Sequence, residues 1–85
     1  MVDVEAAVEI ARKVLGKVMP DYLALGPHVE EFELADGGNL WNVTFRARNP
    51  DAAENPFSFY PYKDKVVQIS TSDGDLIAIR NPTYN

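Results

Sequence analysis

Apolar side chains recur along the first twenty residues at intervals of three and four. Val4, Val8, Ala11, Leu15 and Val18 form a stripe that Ala7 and Val14 widen, while Glu5, Glu9, Arg12, Lys13 and Lys17 fall on other faces. This spacing predicts a helix over residues 3–19. Asp3 is placed to cap it, Glu5 suits the positive end of its dipole, and Arg12, Lys13 and Lys17 lie toward the other end. Glu9 and Lys13 make a favourable i,i+4 pair, and Pro20 stops the helix near Lys17 to Met19. Gly16, unfavourable inside a helix, reads as a point of close approach to a sheet.

After Gly26-Pro27 the period drops to two. Across Val29 to Ala35, Phe32 and Leu34 take one face and Val29, Glu31 and Glu33 the other; Glu30 falls opposite Glu31 and Glu33. Asp36-Gly37-Gly38-Asn39 is a turn, after which Trp41, Val43, Phe45 and Ala47 alternate with Asn42, Thr44, Arg46 and Arg48. Pairing Ala35 with Leu40 sets Leu34 opposite Trp41, Phe32 opposite Val43 and Glu31 opposite Thr44, so both faces agree on one register. Strands are therefore expected at 28–35 and 40–48. Residues 49–63 form a proline-rich aromatic loop with no helix in it, because Pro50, Pro56 and Pro61 exclude a central strand. Strands at 64–71 and 75–80 follow, joined by a turn over Ser72-Asp73-Gly74 with left-handed glycine. That turn pairs Ile69 with Ile77 and Val67 with Ile79, gathering Trp41, Phe45, Ile69 and Ile77 on one apolar face. The expected fold is a single α+β domain over residues 1–85: one N-terminal helix packed on a four-stranded antiparallel sheet made of two hairpins.

Composition narrows the chemistry. In 85 residues there are thirteen acids against eight Lys and Arg, a net charge of −5, which argues against nucleic acid as a partner. With no cysteine and one histidine, disulfides, thiolate zinc sites, thiol nucleophiles and multi-histidine metal sites are excluded, and no cofactor is expected. No apolar run is long enough to span a membrane. The first residues lack the pattern of a signal peptide, so the chain reads as cytoplasmic if Met1 is its natural start and as extracytoplasmic if it is an excised domain.

No reactive constellation stands out. Glu31 and Glu33 share a solvated face where nothing raises their pKa, and they read as charge partners of Arg46. Catalytic use of His28 needs a nucleophile and an orienting acid brought close, and no nucleophile-elbow pattern surrounds Ser58, Ser70, Ser72 or Thr71. Asp73-Gly74-Asp75 lacks the remaining ligands of a calcium loop, Gly37-Gly38 lacks phosphate-loop context, and Arg46, Arg48 and Arg80 are too few for a nucleic-acid footprint. The anomaly is the loop carrying Phe57, Phe59, Tyr60 and Tyr62. On one reading Phe57 and Phe59 alternate into the core while Ser58 and Tyr60 face water; on the other, Tyr60 and Tyr62 offer amphipathic rings to a partner.

The helix, the strand Leu40-Trp41-Asn42-Val43-Thr44-Phe45 and the closing stretch from Val66 through Asp73-Gly74-Asp75-Leu76-Ile77 resemble the PepSY family, and the layout is also similar to cystatin-like and NTF2-like folds, small immunity proteins among them. The long proline-aromatic loop departs from the PepSY pattern. The resemblance implies no catalytic residues; the shortage of reactive constellations and the aromatic loop lead to a non-catalytic protein-binding or inhibitory module, with Phe57, Phe59, Tyr60 and Tyr62 as the candidate contacts. The cystatin-like alternative implies a ligand cavity between helix and sheet, with His28, Glu30 and Tyr22 as candidates. Self-association through an edge strand is a further expectation, opposed locally by Lys63, Asp64 and Lys65.

Overall fold

A computed structural model describes residues 1–54, 57 and 60–82, with backbone alone at 53 and 54. Helix α1 spans Val4–Val18, and the Asp3 carboxylate accepts the Ala6 amide at 2.9 Å as its cap. The apolar stripe through Leu15, joined by Ile10, faces a four-stranded antiparallel sheet with strand order β1-β2-β3-β4: His28–Ala35, Leu40–Arg48, Tyr62–Ser70 and Leu76–Arg80; Val18, counted in the stripe, is exposed past its end. This is the expected α+β layout.

Two alanines at the helix centre let α1 lie close to the strands. Ala7, Ala11 and Leu15 are fully buried against Val43, Phe45, Val67 and Ile69, and these side chains fill the space between helix and sheet. At Pro20, where the stripe ends, the chain turns into a second short helix, α2 (Pro20–Leu23), with the proline at its start. Gly16 does mark a close approach, but to this helix and not to the sheet: a Cβ there would sit 3.1 Å from Leu23 Cδ2.

The first hairpin has the expected register from Glu31–Thr44 through Ala35–Leu40. Closer to His28 a β-bulge interrupts it: His28 and Val29 pair with Arg46 and Phe45, leaving Glu30 as the extra residue. The bulge overturns two expectations. Val29 turns to the inner face and packs on the core, and Glu30 joins Glu31 on the outer face. In the second hairpin Val67 faces Ile79 as expected, and Gly74 has the left-handed φ of 78°. Ile69, however, pairs with Leu76: a second irregularity makes Ile77 the extra residue, and Ile77 is 53% exposed instead of joining Trp41, Phe45 and Ile69.

The segment 49–63 also differs from expectation. It contains a helical turn, α3 (Pro50–Glu54), and its last two residues already belong to β3. Pro50 at the first helical position and Asp51 behind it are favourable starts for a helix, and the Asn49 side chain accepts the Asp51 amide at 3.1 Å. At the far end of the sheet the N-terminal segment is tied down, with the Val2 amide donating to Thr71 O at 2.7 Å and Trp41 Nε1 to Val2 O at 2.8 Å.

Candidate binding site

Asn49 organises the end of the sheet where β2 leaves and β3 enters. Its amide donates to Pro61 O at 2.9 Å and its side-chain Nδ2 to Tyr60 O at 2.9 Å. Nearly buried itself, Asn49 therefore clamps the return of the loop as well as capping α3. Tyr60 and Tyr62 emerge from this clamp in an edge-to-face pair, ring centroids 6.0 Å apart, 49% and 39% exposed.

The Tyr62 ring is held from beneath. The Arg46 guanidinium lies 4.5 Å from its centroid and forks onto the Asp64 carboxylate, Nε to Oδ1 at 3.0 Å and Nη2 to Oδ2 at 2.9 Å. Asp64 is almost completely buried, so its charge depends on this pairing. The Asp64 hydrogen bonds in turn hold the Arg46 guanidinium in its charged form, well above its ordinary pKa. Glu30 adds a looser ion pair to Arg46 at 3.5 Å. The expected pairing of Arg46 with Glu31 and Glu33 is thus not made, because Asp64 lies directly across from Arg46 in the β2–β3 register.

Beside the tyrosines opens a cleft of about 510 Å³. Met19, Asp21, Tyr22 and Leu25 line it from the α2 side, Tyr60 and the start of β3 from Tyr62 to Lys65, Asp64 included, from the other, and Asn81 and Pro82 from the chain after β4. Its walls are tied together by Tyr22, whose hydroxyl donates to Lys63 O at 2.7 Å with Phe45 O as a second, longer acceptor for the same proton at 3.2 Å. Lys65 Nζ donates to Asn81 Oδ1, joining two walls. A mostly apolar lining with aromatic, lysine and aspartate side chains around it suits an extended peptide or a protruding side chain.

The candidate residues thus separate. Tyr60 and Tyr62 stand together at the cleft; Phe57 is fully exposed, so the expectation that it alternates into the core is not met, and Phe59 lies outside the described residues. The three residues of the cavity alternative are not brought together. Tyr22 is buried beside the core, whereas His28 and Glu30 pair with each other at 3.1 Å on the exposed outer face. Among the described residues no group of His, Asp and Glu is arranged to hold a metal ion, and no helix is long and apolar enough to cross a membrane. Sequence reasoning missed Asn49 and Asp64. The Asn49-Pro50-Asp51 triplet is a recognisable turn-and-cap signal; burial of Asp64 depends on its cross-strand neighbour and has no local signal.

No family model, curated protein or solved structure matches the chain.

Proposed function

We propose that the protein is a small, non-catalytic binding module that holds a protein or peptide partner at the Tyr60–Tyr62 cleft. One observation carries this reading: two half-exposed tyrosines in edge-to-face contact, one with its carbonyl bound by Asn49 and the other stacked on the Arg46–Asp64 pair, stand at the mouth of a mostly apolar cleft. Aromatic rings with two rotatable bonds, immobilised before a partner arrives, lose little entropy on contact, and such residues dominate binding energy at interfaces. The PepSY resemblance supports the same reading, with the partner another protein and inhibition one possible consequence of holding it. Against the cavity alternative stands the filled interface between α1 and the sheet.

The test compares wild-type protein with Tyr60→Ala and with the Tyr60→Ala/Tyr62→Ala double variant in pull-downs from native lysate, followed by titration of whatever is recovered. Loss of an anchor residue lowers affinity about thirtyfold. Undiminished affinity in variants whose circular dichroism matches wild type rules the cleft out.

A further inference from the structure

A second surface, at the opposite edge of the sheet, has a character of its own. Strand β1 is hydrogen-bonded to β2 alone, and α1 packs chiefly over β2 and β3, leaving most of β1 after Val29 exposed. Phe32 and Leu34 on its inner face are consequently 52% and 49% exposed, although both point to the helix side of the sheet. Phe32 meets Trp41 edge-to-face at 6.4 Å and, with Val4 and Val8, lines an apolar furrow of about 380 Å³ that Glu5 borders. On the outer face a second furrow, of about 290 Å³, runs from Glu30, Glu31 and Glu33 on β1 across Asn42, Thr44 and Arg46 of β2 to Asp64 of β3. Arg46 is committed to Asp64 and Glu30, and among the described residues no cation pairs with Glu31 or Glu33.

We propose that β1 accepts an added strand from a protein partner, an extended segment in which Lys or Arg alternates with apolar residues. The geometry of a sheet edge sets this alternation. Successive side chains of an added strand point to opposite faces, so those on the inner side meet the exposed Phe32 and Leu34, with the apolar furrow at Phe32, and those on the outer side meet the Glu31 and Glu33 carboxylates at the β1 end of the second furrow. Main-chain hydrogen bonds to the open edge supply affinity and the two furrows supply the choice of sequence. The same charges select against a second copy of this chain. Antiparallel pairing of two β1 strands about Phe32 sets Glu31 of one against Glu33 of the other, twice over, and like charges directly opposed are destabilising.

The experiment uses the whole protein and capped peptides of about ten residues: one alternating Arg and Val, one with the same residues in blocks, one with Glu in place of Arg, and one alternating Arg and Val but N-methylated at every second amide. Amide chemical shifts and hydrogen exchange locate the contact. The alternating Arg–Val peptide is expected to protect amides of 28–35 and to bind about tenfold more tightly than the block and Glu peptides, from the two opposed charge pairs. N-methylation on the pairing edge abolishes the protection. Glu31→Lys/Glu33→Lys, two exposed substitutions, shifts preference to the Glu–Val peptide. Equal binding of the block peptide, equal binding of the N-methylated one, or shifts confined to Tyr60 and Tyr62 overturns the proposal; the last outcome leaves the tyrosine cleft standing. Sedimentation of the free protein at two concentrations is expected to show no dimer, and a dimer whose interface protects β1 likewise overturns it.

Discussion

Single side chains set the local geometry through partners far away in sequence or two residues along. Asp73 is an example of the second kind: its carboxylate accepts the Asp75 amide at 3.0 Å within the β3–β4 turn, which lowers its pKa below the usual carboxylate range. A depressed native pKa means that the stabilisation is fully present above the unfolded value of about 3.9 and is lost as pH falls through the lower native value. Asp73→Ala is therefore expected to be less stable than wild type at neutral pH. The gap narrows only in strongly acid solution, which urea titrations at stepped pH will show; a gap independent of pH contradicts the carboxylate's role. Arg46, Asp64 and Asn49 are examples of the first kind. Their residue types were visible, but nothing local distinguishes Asp64, buried against Arg46 eighteen positions away, from the exposed acids.

At the scale of elements, alternation and turn chemistry carried most of the fold. The Trp41–Ala47 series could satisfy only one register against Phe32 and Leu34, since a slip of one residue exposes every inner side chain. What alternation does not show is an inserted residue. Each hairpin contains one, at Glu30 and at Ile77, and each moves side chains to an unexpected face. In His28-Val29-Glu30-Glu31 a single apolar residue among polar ones does not fix where the phase changes, although Val29 is the side chain that the bulge buries. The β4 irregularity makes a quantitative difference: Ile77→Thr, at a half-exposed site, is expected to change stability by less than about 0.5 kcal/mol, whereas Ile69→Ala, fully buried, costs about 2–5 kcal/mol. Thermal denaturation of the two variants measures the contrast, and comparable losses would place Ile77 back in the core.

The whole molecule is a thin plate, 44 × 28 × 17 Å, with a radius of gyration of 13.5 Å against about 12 Å for a compact chain of this length. A single helix cannot cover four strands of this width, which explains why the core centres on β2 and β3 beneath α1, with Tyr22, Val29 and Ile79 at its margins. The flatness leaves two edges and one broad face to solvent, and it places the tyrosine cleft and the β1 edge at separate margins of the plate.

Trp41 is the chain's lone tryptophan, in edge contact with Phe32 and bonded to the Val2 carbonyl. It stands seven residues along β2 from Arg48, the partner of Tyr62, a distance of about 24 Å along an extended strand. The molecule thus carries a natural optical reporter near one margin and not the other. In a titration excited selectively at the indole, an occupant of the β1 edge is expected to shift or quench the emission, and an occupant of the tyrosine cleft to leave it unchanged. Light alone can then tell which rim of the plate a newly found ligand has chosen.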